Sequence, residues 1–380
     1  MGEPKANPFR FGALALDEAF TDRDAEIREL SADLRNGQDV VVFAPRRYGK
    51  SSLVWRVSQL VSARKVLIGH VDLMKAPTKE KLAEKLAHSI YEEIASPLIR
   101  ARERMRVFAG LRIQPIMTVN PQDGTLGFSF SAGHAPEDVD ATLERLLELP
   151  AQLAAERKRR VALVFDEFQE VVEIDPELPK LMRSVFQEQP EVGHVYLGSK
   201  RHMLERIFND ENEPFWRSAK QMELDVISPD DFRPYIAERF EATGKRISEE
   251  AVADVLGITA GHPYATQELC YFLWEVTRSG RRAGDELVED ALGAVLRSEH
   301  AHFSLVWERA SAAQRLLLQA LARESGRPLS GGYRHRHDLP GTSTVQRALE
   351  ALTKNELAGR RDGEYRIVEP FLAEWLRAET

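Results

Sequence analysis

The stretch from residue 39 to 73 limits the possible folds more than any other part of the chain. Asp39 to Phe43 is a short valine-rich run bounded by Asn36-Gly37 before it and Ala44-Pro45 after it, the pattern of a strand buried on both faces. Leu53, Val54, Val57, Leu60 and Val61 follow at helical spacing, and a second apolar run covers Val66 to Leu73. Strand, helix and strand within about thirty-five residues make a βαβ unit, because parallel neighbours need a crossover connection. The runs Val161 to Phe165, Val195 to Gly198 and Gln221 to Val226 repeat the theme, separated by amphipathic segments. A mostly parallel sheet with helices on both faces is expected.

One interval interrupts that alternation. Ile113 to Val119 and Leu126 to Phe130 are strand-like and flank Asn120-Pro121-Gln122-Asp123-Gly124, so residues 111–135 read as an inserted β-hairpin. After about Ser228 the strand signals stop. Helical patterns start near Pro229, Ser248, Pro263 and Gly284, with Ser248 placed as an N-cap, and suggest a four-helix satellite. From Ser311 the pattern changes to a helix reaching Ala322, a polar loop with Gly331-Gly332, a helix from Thr342 to Asn355, and two strand-like stretches around Asp362-Gly363. Helix, helix and hairpin are the outline of a winged helix.

The 380 residues, 43% of them hydrophobic, supply enough apolar material for two or three domains, and 29% charged residues fit neither a disordered nor a fibrous chain. A net charge of −8 argues against a surface that binds nucleic acid all over, and leaves room for one local basic site. The lone Cys270, inside the helical run Gln267 to Val276, reads as a small core residue in a reducing compartment. Met1 to Arg10 lacks the apolar stretch of a secretory signal, and no window approaches the roughly 18 apolar residues of a membrane span. The expected location is cytoplasmic, with no membrane partner.

The first strand runs into Ala44-Pro45-Arg46-Arg47-Tyr48-Gly49-Lys50-Ser51-Ser52, which has P-loop spacing except that alanine stands where the pattern has its first glycine. Gly49 lets backbone N–H groups turn onto a phosphate, Lys50 reaches the β and γ oxygens, and the Ser51 hydroxyl suits Mg²⁺. The helix N-terminus that follows adds partial positive charge. Ala44 costs little if its φ stays negative. Arg46 and Arg47 are placed to meet a triphosphate or a neighbouring subunit. ATP and Mg²⁺ are therefore the expected cofactors.

Downstream, Val161-Ala162-Leu163-Val164-Phe165 delivers Asp166-Glu167 to the C-terminal end of a buried strand, where open α/β sheets bind ligands. Asp166 suits a Mg²⁺ held through water, and Glu167 is positioned to orient or deprotonate an attacking water. At the end of the next strand, Ser199 can sense the γ-phosphate by hydrogen bond, with Lys200 or Arg201 supplying positive charge. Arg217, in Pro214-Phe215-Trp216-Arg217, is a candidate arginine finger acting within the chain or on a neighbour. The cluster Arg334-His335-Arg336-His337 reads as a solvated loop, since histidines two apart in a polar turn are not by themselves a metal geometry.

Asn7-Pro8-Phe9, Phe20-Thr21-Asp22-Arg23, the Arg-Arg-Tyr-Gly-Lys loop, Phe165-Asp166-Glu167-Phe168-Gln169-Glu170 and Gly261-His262-Pro263 resemble, in order, motifs of archaeal-type AAA+ ATPases. These are relatives of the STAND signalling ATPases and the origin-recognition ATPases. Ser343 to Leu352 and Tyr365 to Phe371 resemble the same family's C-terminal winged helix, so the likeness covers nearly the whole chain. The resemblance implies an α/β P-loop NTPase fold: an AAA+ core in residues 1–225, a helical lid in 226–300 and a winged helix-turn-helix in 301–380. It also implies that Phe20 to Arg23 contact the adenine side of the nucleotide, and that Pro263 with its neighbours reads the base from the lid.

Residues 301–380 carry twelve Arg and Lys against ten Asp and Glu, unlike the acidic remainder. In the expected recognition helix Val345, Ala348, Leu349 and Leu352 form the inward face. Ser343, Thr344, Gln346 and Arg347 then face outward, with Arg360 and Arg361 at the wing, all types that reach phosphates or base edges. Three functions fit: a Mg-dependent ATP-hydrolysing switch that assembles as a homo-oligomer or exposes its winged helix on ATP binding; a DNA-binding ATPase that loads on or remodels duplex; and a nucleotide-binding scaffold for a protein partner. Glu167 disfavours the scaffold, which has no need of that carboxylate.

Overall fold

Seven strands precede residue 225 among the described residues: β1 (Val40–Phe43), β2 (Val66–Asp72), β3 (Ile116–Val119), β4 (Leu126–Ser129), β5 (Arg160–Asp166), β6 (Val192–Gly198) and β7 (Lys220–Glu223). The computed structural model describes residues 6–13, 20–62, 66–96, 101–120, 122, 124–131 and 133–379. The chain forms two compact units. A sheet unit comprises Asp24–Ala44 and Leu53–Leu224, and a helical unit comprises Met1–Arg23, Pro45–Ser52 and Asp225–Thr380.

In the sheet unit the strand order is β2-β5-β6-β1-β7, parallel throughout. β1 is buried at all four residues because it is central, with Val40 opposite both Val195 of β6 and Lys220 of β7. That position explains its unbroken valine run, since neither face meets water. Because the strands are parallel, Phe43, Asp166 and Gly198 all end on one side of the sheet. Phe165, Phe168, Tyr196, Phe208 and Phe215 pack beneath that end, each essentially inaccessible to solvent. β3 and β4 pair as an antiparallel hairpin in which Phe128 turns inward against Tyr91 and Phe108, while β3 is exposed along its length. Pro121 and Asp123 of the expected turn lie outside the described residues.

The helical unit begins its main run with helices Pro229–Ala242, Glu249–Thr259, Pro263–Val276 and Asp285–Arg309. Ser228, Ser248 and His262 cap the first three, each side chain accepting from a backbone N–H three residues on. Proline opens two of these helices, where its missing N–H has no intrahelical partner to lose. The fourth helix passes residue 300 without a break. One pairing was not expected from sequence: β8 (Arg246–Ile247) and β9 (Arg282–Ala283) form a two-residue parallel ladder, too short to leave a periodic signal.

Helix Ala312–Arg323 follows, with a reciprocal capping box between Ser311 and Gln314. Helix Thr342–Lys354 comes next, then β10 (Ala358–Arg361) and β11 (Glu364–Ile367), joined through Asp362 and Gly363, both at positive φ as a tight hairpin turn requires. The polar loop expected at Gly331-Gly332 is instead a short helix, Gly331–Arg336. Ser330 caps it, and buried Tyr333 donates its hydroxyl to the Glu324 carbonyl at 2.6 Å, so tertiary anchoring outweighs the poor helix propensity of two glycines. The Arg334-His335-Arg336-His337 cluster is correspondingly not a solvated loop: Arg336 and His337 both bind the Glu324 carboxylate. Phe9, Leu269, Cys270, Phe303, Leu317, Leu349 and Leu376 belong to one core, so the helices between residues 229 and 309 share their packing with the winged-helix elements. Burial pushes the Cys270 thiol pKa up, as an inert core cysteine requires. No helix among the described residues is long and apolar enough to cross a membrane.

Candidate nucleotide site

Helix Lys50–Ser62 starts at the lysine, so the positive end of its dipole faces the loop that precedes it. Gly49 stands at φ +85°, and a Cβ there would meet nothing within 4 Å. Conformation, not crowding, is what calls for glycine at that position. Ala44 keeps a negative φ, so replacing the first glycine of the pattern leaves no backbone strain. Arg47 does not share that ease, since it sits at φ +67°, a left-handed conformation costing an L-residue roughly 1–2 kcal/mol.

Within the helical unit the loop is tied down on several sides. Lys50 Nζ donates to the Pro45 carbonyl at 2.9 Å, and Ser52 is buried. Arg23, only 5% exposed, donates to the carbonyls of Tyr48 and Asp225. The Tyr48 ring meets His262 edge-on at 4.8 Å, and the Arg47 guanidinium lies 4.2 Å over the Tyr264 ring. His262 is buried and accepts the Ala265 N–H through Nδ1. Burial and then the Arg47 charge hold its pKa down at about 3, so it stays neutral and keeps the cap. Arg23, Pro45 to Ser52 and the start of the Pro263–Val276 helix are thus brought together, while Phe20 lies partly buried at the start of its segment.

The sheet unit assembles the acidic group. Glu167 adopts φ +51° directly after β5, between the buried side chains of Phe165 and Phe168. Its Oε2 accepts from Ser199 Oγ at 3.0 Å and from Gln169 Nε2. Asp166 Oδ1 accepts the Glu167 N–H at 2.9 Å. Ser199 and Gln169 are 1% and 0% exposed, so the donors that hold Glu167 are themselves fixed by packing. Gly198 makes this possible, since a Cβ there would fall 2.3 Å from Gln169 Oε1. Lys200 pairs with Glu170 at 3.0 Å.

Other candidates are placed differently. Arg201 directs its guanidinium to Glu205 and Glu223, and Arg217 is exposed at φ +51° beside the Trp216 ring. On helix Thr342–Lys354, Val345, Ala348, Leu349 and Leu352 are buried while Ser343, Gln346 and Arg347 are exposed and Thr344 half-buried. Arg360 is exposed at the wing. Arg361, grouped with it on sequence grounds, instead pairs with Asp225 at 3.2 Å.

Residues not singled out from sequence complete the picture. Gln169 lies inside the Phe165 to Glu170 motif, where nothing in the spacing gives it a role. Glu268 is fully buried on helix Pro263–Val276 with neither carboxylate oxygen hydrogen-bonded, and desolvation, then the charges of Glu299 and Glu369, push its pKa to about 8. Its only sequence signal was a charge on the inward face of a helix. Among the described residues no group of three or more His, Cys, Asp or Glu could by itself hold a metal ion.

A family model described as an ATPase domain predominantly from Archaea matches residues 20–269, and one described as a probable winged helix domain matches residues 301–378. Among solved structures, the Walker-type ATPase PABY2304 of Pyrococcus abyssi aligns with a TM-score of 0.67 at 19% identity, over 96% of this chain and 97% of that one. The ORC1 protein of Aeropyrum pernix in complex with DNA gives 0.47 at 15% identity, over 96% and 94%. The RuvB Holliday junction branch migration motor of Thermotoga maritima gives 0.43 at 12%, over 93% and 94%. No curated protein matches the chain.

Proposed function

The chain belongs to the family of ATPase domains found predominantly in Archaea and is an ATP-binding ATPase, and from that premise we propose that it works as a Mg²⁺-dependent, STAND-like molecular switch whose nucleotide state controls its winged helix. One observation carries the reading: Arg46 and Arg47, on the loop that would cradle phosphates, form ion pairs with Glu356 and Glu369, which flank the wing. A loop that changes its charge partners on binding a triphosphate has a direct physical line to that domain.

In this reading Lys50 and the N–H groups of the loop hold the β and γ phosphates. Ser51 and Asp166 offer a hydroxyl and a carboxylate, the hard oxygen donors that Mg²⁺ takes, and the ion would neutralise phosphate charge. Glu167 orients the attacking water and takes its proton, its carboxylate kept in one orientation by Ser199 and Gln169. Phe20, Arg23 and the Pro263 segment take the adenine side. Arg217, exposed beside the Trp216 ring, serves as the arginine finger, in cis or from a neighbour in an ATP-bound homo-oligomer. Arg201, engaged by two glutamates, supports the site only if those pairs open.

Sedimentation with ADP and with a non-hydrolysable ATP analogue tests the switch: the two profiles should differ in the wild type. Lys50→Ala should bind ATP on the order of 100-fold more weakly and give one profile with both nucleotides. Identical wild-type profiles, with both nucleotides bound, would count against the switch.

Duplex DNA is a second reading, favoured by the exposed Ser343, Gln346 and Arg347 on one helix face and Arg360 at the wing. Binding should then fall steeply with salt, and Arg347→Ala with Arg360→Ala should reduce the salt slope by about 2. No duplex binding at low salt, with or without ATP, removes this reading.

A further inference from the structure

Arg47 is the counter-charge for more than one carboxylate. Its guanidinium lies 3.6 Å from Glu369 Oε2 and 4.2 Å over the Tyr264 ring, and its charge also acts on Glu268. Glu369 Oε1 is buried without a hydrogen-bond partner, as are both oxygens of Glu268. Glu299, on helix Asp285–Arg309, adds a third negative charge acting on both. Burial and Glu299 raise the Glu369 pKa, against the pull of Arg47, to about 7. Arg46 makes a parallel contact, 3.4 Å from Glu356. Arg46, Arg47, Glu356 and Glu369 line a cavity of about 540 Å³, together with Arg309 and Leu352.

Resting on the switch reading above, we propose that Glu356 and Glu369 are a latch which competes with the nucleotide's phosphates for the two loop arginines. A triphosphate brings several negative charges to the loop that carries both guanidinium groups, and it offers them bidentate oxygen partners of higher charge than a carboxylate. When Arg47 turns to phosphate, Glu268 and Glu369 lose a cation whose charge acts on both. Glu369, which opens the last helix of the winged helix, then loses its ion-pair partner in a half-buried position, and its domain is released. The left-handed backbone of Arg47 adds stored strain to the latched arrangement.

The competition predicts that loosening the latch tightens ATP binding. Glu356→Gln with Glu369→Gln should bind a non-hydrolysable ATP analogue roughly fivefold more tightly than wild type, the scale expected of two partly exposed ion pairs. Amide hydrogen exchange across residues 301–380, slow in wild type with ADP and faster with the analogue, should be fast in the double variant with either nucleotide. Glu356→Gln alone, altering the more accessible pair, should give an intermediate result and serves if the Glu369 change impairs folding. A wild type whose winged-helix exchange ignores the nucleotide overturns the switch and the latch with it. A wild type that responds, beside variants with unchanged affinity and unchanged ADP-state exchange, overturns the latch and leaves the switch standing.

Discussion

Glu167→Gln abolishes turnover and leaves ATP binding intact: kcat should fall by roughly three orders of magnitude, as for loss of a general base, while the dissociation constant for ATP stays within about twofold. The geometry separates the two effects. Glu167 Oε2 accepts two hydrogen bonds, from Ser199 Oγ at 3.0 Å and from Gln169 Nε2, and an amide oxygen can accept both, so glutamine keeps the local packing. The change removes only proton affinity and charge. Because the residue sits at φ +51° between two fully buried phenylalanines, the backbone that presents it does not depend on the side-chain charge. Single-turnover hydrolysis and calorimetric titration of the two proteins check both halves. Equal hydrolysis by the two proteins would remove Glu167 from the reaction.

What could be read in advance was what is written in local pattern. The valine run of β1, the acidic pair closing β5, the Asp362-Gly363 turn and the buried face Val345, Ala348, Leu349 and Leu352 each follow from a few neighbouring residues, because strand, turn and helix periods are local. Helix Gly331–Arg336 was hidden, since its stability comes from Tyr333 packing against Gly326, where a Cβ would stand 2.6 Å from the ring. The same holds at the site. Gly49, Lys50, Ser51, Asp166 and Glu167 announce themselves by spacing, but what holds Glu167 is a glutamine on the next turn and a serine just past the end of β6. Arg46 and Arg47 were visible as cations near phosphate. Their carboxylate partners, Glu356 and Glu369, lie at the far end of the chain, and no spacing rule connects the two.

Glu268→Gln should stabilise the protein, by about 5 kcal/mol at pH 9 and by less than about 0.5 kcal/mol near pH 4.5. Folding raises the Glu268 pKa from 4.5 to about 8, chiefly by desolvation and then by the charges of Glu299 and Glu369, with Arg47 opposing. Between those values the folded chain holds a proton that the unfolded chain has released. Stability therefore falls as pH rises through that window, and the full cost of the buried charge is felt only above about pH 8. Glutamine keeps the volume and removes the ionisation, so the variant's stability should depend less steeply on pH. A smaller fall of the same sign remains, because Glu369 is raised to about 7. Calorimetric melting of wild type and variant from pH 4.5 to 9 makes the comparison, and parallel curves would mean that Glu268 stays ionised or gains a partner when the chain folds.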